Sequence, residues 1–242
     1  MELYLIMPHH QNEKFKTMHT VFDEFTNKTL FKLISEGYLE GLESPISMGK
    51  EANIFTAKRK DGSRVIVKIY RLENCDFNRM YDYIKEDPRY SSIKGKRRKI
   101  IFLWVQREYR NLLKSREANV SVPTPLAFKN NVLILELIGH GDKVASKLGI
   151  DHPKNPKEFF KKTIGNIKKL YKIGLIHADL SQFNILNNDE TPVLIDFSQA
   201  TVLENSRAEE FLNRDIKNVC NFFRKLGLKI DEEKIIKTII KN

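Results

Sequence analysis

The apolar residues change period part-way along the chain, and this change limits the possible folds more than any other feature. Before residue 138 the short apolar runs alternate as strands do. Asn53–Ala57 and Val65–Tyr70 flank Asp61-Gly62, a dipeptide that favours a tight hairpin turn. Leu126–Phe128 and Val132–Leu137 flank Asn130-Asn131 in the same way, and a weaker run lies near Leu42–Ile46. Two helices are expected among them. One is Val21–Ile34, with Val21, Phe22, Phe25, Leu30, Phe31, Leu33 and Ile34 as its apolar stripe and Gly37 to end it. The other is Lys99–Arg116. Gly139 and Gly141 then supply a flexible joint. Beyond it the period is helical: Pro156–Ile173 places Phe160, Ile164, Ile167 and Tyr171 on one face, and the chain from about Arg207 continues as helix. Only two short strand-like runs interrupt this half, Asn184–Leu186 and Val193–Ile195, around Asp189-Glu190. The expectation is an α+β chain with two unlike lobes, 1–138 and 139–242, and a cleft between them. Residues 71–97 are polar and read as a long loop with room for a short helix, its flexible part at about 76–98.

Composition narrows the class. An apolar fraction of 41% over 242 residues supports a sizeable core. The longest unbroken apolar run is Ile100–Val105, far short of the about 20 residues of a membrane-spanning helix. The start, MELYLIM, lacks the cationic region of a secretory signal. Cys75 and Cys220 are the only cysteines, too few for a disulfide framework. A soluble protein of a reducing compartment, cytoplasmic, is expected. The net charge of +11 is concentrated: residues 89–116 hold ten Lys and Arg and one acid, +9 of that total. Such an element suits a polyanionic partner, while a lysine-rich solvated face is the plainer reading.

The residues able to do chemistry lie in the second half. His177-Ala178-Asp179 is followed by Asn184, five positions after Asp179, and by Asp196 at the end of an apolar strand. Asp, Asn, Asp in this order suits metal-assisted phosphoryl transfer. One carboxylate takes or orients a hydroxyl proton, while an amide oxygen and a second carboxylate hold a hard cation on phosphates. His177 reads as a brace of that loop. The first half offers Lys68, inside the apolar strand VIVKIY. It is either an ammonium for nucleotide phosphates or a snorkelling strand lysine. Glu108, the only acid between Asp87 and Glu117, is its candidate partner. Ser47-Met48-Gly49-Lys50-Glu51-Ala52 is a turn that can aim Ser47 and backbone N–H groups at phosphates. It is no Walker A loop. His9, His10 and His19 lack metal-ligand spacing, and Trp104 reads as core.

Taken together, SMGKEA, VKIY, REYRNL, HADLSQFN and IDFSQA resemble the RIO family of atypical serine/threonine protein kinases. VKIYRLENCDFNRMYDYI, DPRYSSIKGKRRKIIFLWVQREYRNL and FLNRDIKNV are similar to its first subfamily, the branch without an N-terminal winged helix, and the resemblance covers about residues 21–226. It implies a trimmed, bilobal protein-kinase-like fold with an antiparallel-sheet N-lobe, a mainly helical C-lobe and ATP in the cleft. Lys68 would contact phosphates and pair with Glu108. Asp179 would be the catalytic Asp, and Asn184 and Asp196 would ligate Mg2+ or Mn2+. Ser47 and Lys50 would line the phosphate loop, and backbone groups of Glu136 and Ile138 would meet adenine.

Two departures from ordinary kinases fit the family: Ala178 replaces the Arg before the catalytic Asp, and Asp196-Phe197-Ser198 replaces Asp-Phe-Gly. The resemblance further implies autophosphorylation in the flexible loop, with Ser91 and Ser92 as candidates. It also implies Asp196 as a phosphoacceptor in an ATPase cycle, and work on the small ribosomal subunit precursor, whose RNA would meet the basic 89–116 element. A small-molecule phosphotransferase of aminoglycoside-kinase type shares H-x-D-x-x-x-x-N but not SMGKEA or REYRNL. A non-catalytic RNA-binding scaffold is the third reading, against which the intact Lys68, Glu108, Asp179, Asn184 and Asp196 argue.

Overall fold

The computed structural model describes residues 22–73, 75–90, 96–141 and 143–241. Helix α1 (Glu24–Ser35) starts at Asp23, whose carboxylate accepts the Thr26 N–H, and stops before Gly37, at φ +83°. Strands β1 (Gly41–Met48), β2 (Ala52–Lys58), β3 (Arg64–Tyr70), β4 (Pro125–Lys129) and β5 (Val132–Glu136) form an antiparallel sheet in the order β1-β2-β3-β5-β4. Gly62 and Asn130 take positive φ at the two hairpin turns, as their sequences require.

The period-two rule sorts the sheet's side chains onto two faces. Val65, Val67 and Ile69 of β3, with Val132 and Ile134 of β5, pack with Leu30 and Leu33 of α1. Ile66 and Tyr70, with Leu133 and Leu135, face the other way into the larger core. Lys68 belongs to this second face, and helix α3 (Arg97–Glu117) lies against it. The α1 stripe is narrower than its periodicity predicts, for Phe31 is 57% exposed.

Within residues 76–90 the short helix that the sequence leaves room for is present. The expected flexible loop contains helix α2 (Phe77–Lys85) and a 3-10 turn (Pro88–Tyr90). Asp76 caps α2 by accepting the Arg79 N–H, and Met80, Tyr83, Ile84 and Tyr90 are buried. The polar composition hid the pattern: only one narrow face of α2 is apolar. Ser91, Ser92 and Lys94 lie outside the described residues, as do His9, His10 and His19.

The glycine joint is a small hairpin, β6 (Gly139–His140) with β7 (Lys143–Val144). A Cβ on Gly139 would sit 2.0 Å from the Lys143 carbonyl oxygen, so only glycine fits. Strand β8 (Ser146–Lys147) joins β10 (Ile185–Asn188) and β11 (Thr191–Leu194), while β9 (Leu175–Ile176) pairs with β12 (Thr201–Val202). Helices α4 (Pro156–Lys172), α5 (Ala208–Lys225) and α6 (Glu232–Ile240) complete the second lobe. The buried face of α4 is rotated from the expected one. Phe159, Thr163, Asn166, Ile167 and Leu170 are buried, and Phe160, Ile164 and Tyr171 only partly. Its polar members are satisfied: Thr163 donates to the Phe159 carbonyl, and Asn166 accepts from the Ser121 N–H. No helix among the described residues is long and apolar enough to cross a membrane.

Helix α3 also corrects the basic element. Arg107 is fully buried, 3.2 Å from the equally buried Asp87, and Arg89 bonds Asp87 and Asn111. Arg107 is an internal strut, while Arg89 is tethered to Asp87 and stays exposed. The exposed bases among the described residues of the element are Arg89, Lys96, Arg97, Arg98, Lys99, Arg110, Lys114 and Arg116. Arg107→Met, which leaves the buried Asp87 carboxylate to Arg89 alone and takes the donor from the Tyr83 and Gln199 carbonyls, is expected to cost about 1–3 kcal/mol in urea unfolding. Arg110→Met is expected to cost less than about 0.5 kcal/mol.

Candidate active site

Lys68 and Tyr70 are two residues apart on β3 and therefore share the face toward α3. Lys68 Nζ lies 2.9 Å from Glu108 Oε1 and 2.9 Å from Asp196 Oδ1. The Tyr70 hydroxyl donates to the other Glu108 oxygen, Oε2. Glu108 is fully buried, so each of its oxygens needs such a partner. Burial works against the Lys68 ammonium, but the Asp196 and Glu108 carboxylates overcome it and hold its pKa well above the ordinary lysine value. Burial likewise pushes the Asp196 carboxyl up. The Lys68 ammonium and the Ser198 hydroxyl, which donates to Oδ1 at 2.8 Å, outweigh that and bring it to about 2. Lys68 is thus a clamped cation between two lobes, and the snorkelling reading falls.

The Asp179 loop is built on an unusual backbone. Ala178 and Asp196 take left-handed φ of +63° and +64°. Non-glycine residues hold such angles where surrounding bonds compel them. Here Asp215, buried on α5, accepts the N–H groups of Ala178 and Leu180, each at 2.8 Å. Arg214 donates to the Ala178 carbonyl. Burial raises the Asp215 carboxyl to about 7, against the pull of those two N–H donors. His177 donates from Nε2 to the Ile195 carbonyl at 2.9 Å and packs edge-on against Phe197. It ties the two loops together, the bracing role its sequence position suggests.

Asn184 Nδ2 donates to the Asp179 carbonyl (2.8 Å) and to Oδ2 (3.3 Å), which leaves the Asn184 amide oxygen for a cation. Burial, then the charge of Asp196, raises the Asp179 carboxyl, while Arg79 and Arg214 oppose the rise. No three His, Cys, Asp or Glu among the described residues are placed to hold a metal ion by themselves. Two carboxylates and an amide suit Mg2+, which keeps waters and phosphate oxygens as its remaining ligands, better than an ion needing a full protein cage.

Of the phosphate-loop candidates, Ser47 is the penultimate residue of β1 and Lys50 occupies the following turn, both exposed. The turn closes through the Gly49 N–H to the Ala52 carbonyl, 3.0 Å. Glu51 in this turn went unnoticed in the sequence. Burial and then the charge of Asp196 raise its carboxyl, and Asp179 adds to the effect, so it faces the same centre. At the hinge the Glu136 carboxylate accepts from the Thr124 N–H and hydroxyl, and the Ile138 carbonyl accepts from Ala145. The Ile138 N–H is the hinge group open to a ligand acceptor. Tyr70, Ser198, Arg214 and Asp215 were also missed. Tyr70 carried a readable signal, its spacing from Lys68; Asp215 carried none.

The RIO domain family model matches residues 53–235. The chain is 39% identical to the RIO-type serine/threonine-protein kinase Rio1 of Haloferax volcanii, over 92% of this chain and 77% of that protein. It is 38% identical to the Methanocaldococcus jannaschii Rio1, over 94% and 78%. To Saccharomyces cerevisiae RIO1 it is 31% identical, over 91% of this chain and 51% of the yeast protein. Among solved structures, the Rio2 kinase-ADP/Mg2+-phosphoaspartate complex of Chaetomium thermophilum superposes with a TM-score of 0.69 at 24% identity, over 90% of this chain and 67% of that one. This last likeness bears on the fold.

Burial lowers the His177 imidazole to about 4. By NMR the ring should stay neutral, protonated on Nε2, down to about pH 5, well below the ordinary histidine value of about 6.5. Titration near that ordinary value would mean that the ring is not enclosed as described. The domain match and the two archaeal relatives place the chain in the RIO family of atypical serine/threonine protein kinases, in its first subfamily.

Proposed function

We propose that the chain binds ATP with Mg2+ between its lobes and passes the terminal phosphoryl group to a serine or threonine hydroxyl. The observation that carries this reading is the Lys68 ammonium, 2.9 Å from both Glu108 and Asp196, beside an Asp179 carboxylate braced by Asn184. Asp179 accepts or orients the hydroxyl proton. Lys68 steadies phosphate oxygens, with Ser47, Lys50 and the turn's N–H groups around them. Asn184 and Asp196 would hold Mg2+, or Mn2+, which neutralises charge on the phosphates. The Ile138 N–H and the Glu136 carbonyl meet adenine. Asp179→Ala is expected to lower transfer from labelled ATP by at least about 10³-fold while nucleotide affinity stays within a few-fold. An undiminished rate would sink the assignment.

A second reading, ATP hydrolysis through a phosphorylated Asp196, is favoured by the strongly acidic Asp196 carboxyl beside Lys68. The solved Rio2 complex, which contains ADP, Mg2+ and a phosphoaspartate, supports it by analogy. Protein-bound label that resists neutral hydroxylamine indicates the kinase; hydroxylamine-labile label with released phosphate indicates the cycle.

The partner we infer is the small ribosomal subunit precursor in the cytoplasm, met through its RNA by the outer face of α3. Lys96, Arg97, Arg98 and Lys99 at its start, with Arg110, Lys114 and Arg116 further on, remain exposed, while Arg107 turns inward and Arg89 is tied to Asp87. Reversing the charge of Lys96, Arg97 and Arg98 together should weaken binding to precursor particles. The log–log salt slope should become shallower by about 2–3 units. An unchanged slope would leave these bases as a solvated helix face.

A further inference from the structure

Asp179 is held at one oxygen by two amide groups, and only one of them belongs to the Asp-Asn-Asp set. Besides Asn184, Gln199 Nε2 donates to Asp179 Oδ2 at 3.3 Å. Both donors converge on Oδ2, so Oδ1 is the oxygen left to meet a substrate hydroxyl. A carboxylate held at one oxygen cannot spin freely about its last torsion, and general-base work depends on that orientation.

Gln199 is itself held from behind. Its Oε1 accepts from Arg79 Nη2 on α2 at 3.4 Å. Flipping the amide would set its NH2 against a guanidinium and its oxygen against a carboxylate, so Arg79 and Asp179 together choose one orientation. The Gln199 backbone carbonyl accepts from Arg107 Nη2 at 3.2 Å, and the next carbonyl, of Ala200, accepts from Asn111 at 2.8 Å. Arg107 also donates to the carbonyl of Tyr83, on α2. Gln199 is nearly buried, with 6% of its surface exposed, and has no freedom to swing away. Arg79 also supplies a positive charge near Asp179, where the preceding residue, Ala178, offers none.

We propose that Gln199 is a positioning residue for the Asp179 carboxylate, and that Arg79 fixes its amide orientation, so that α2 sets the geometry of the catalytic loop. This rests on the reading of Asp179 as the phosphotransfer carboxylate.

The test is steady-state ATP-dependent phosphorylation by the full chain, with nucleotide affinity measured separately. Gln199→Leu should lower kcat about 10- to 100-fold, the scale on which a misplaced group reduces rate. KM for ATP and nucleotide affinity should stay within about twofold, because Gln199 acts on the hydroxyl side and not on the phosphate clamp. Arg79→Met, a change at an exposed helix residue that leaves the core intact, should give a smaller kcat loss, and Arg79→Lys should recover part of it. In the Gln199→Leu background, Arg79→Met should add less than it costs alone, since only its charge near Asp179 is left to lose.

Wild-type kcat in Gln199→Leu, a loss confined to KM for ATP, or independent, multiplying losses from the two substitutions would each overturn the inference. Asp179→Ala, assayed alongside, separates the two levels. Full activity there overturns the functional reading itself. An inactive Asp179→Ala beside a fully active Gln199→Leu overturns only the role of Gln199.

Discussion

The site depends on one buried ammonium. Lys68 is the point at which β3, α3 and the Asp196 loop meet, and three elements far apart in sequence converge on a single Nζ. An unpaired charge at that depth would be expelled or neutralised. Its charge persists because Glu108 and Asp196 face it from opposite lobes, and Glu108 persists because Tyr70 and Lys68 share its two oxygens. Removing any one of them strands the others. The lobes are therefore registered by electrostatics at the reaction centre, on top of the apolar core that runs between them.

Most of the first lobe was legible because strands and turns obey local rules. Asp61-Gly62 and Asn130-Asn131 carry their own turn chemistry, and alternation in VIVKIY places Lys68 and Tyr70 together. The Lys68–Glu108 pair was legible for a compositional reason, since Glu108 stands alone among many bases. The residues around Asp179 were harder to read. Asp215 grips the Ala178 and Leu180 backbone from a helix nearly forty residues downstream, and no local pattern announces a contact of that kind.

Two features that the sequence shows only faintly share a cause. Helix α2, expected only as a short helix within a long loop, buries just Met80, Tyr83 and Ile84 of its nine residues, and Arg107 stands in a basic run that reads as surface charge. Both arise where polar groups are satisfied internally. Asp87 sits between Arg89 and Arg107, and the carbonyls of Tyr83 and Gln199 take up the remaining guanidinium donors. Burial of charge by pairing is a tertiary event, invisible to periodicity and to net charge. The same buried network makes α2 and the Asp196 loop one unit.

The alternation along β3 carries a further consequence for how this chain can vary. Its two faces serve two different cores: Val65, Val67 and Ile69 fill the apolar layer under α1, while Ile66, Lys68 and Tyr70 face α3. Sliding β3 by one residue against β2 and β5 would exchange these sets. The ammonium would enter a layer of Leu30, Leu33 and Ile134 that has no carboxylate, and Glu108 would face a valine or an isoleucine. Length changes are therefore confined to the Arg59–Ser63 turn, where a compensating loop absorbs them, and a single-residue insertion within β3 would disrupt core and reaction centre together.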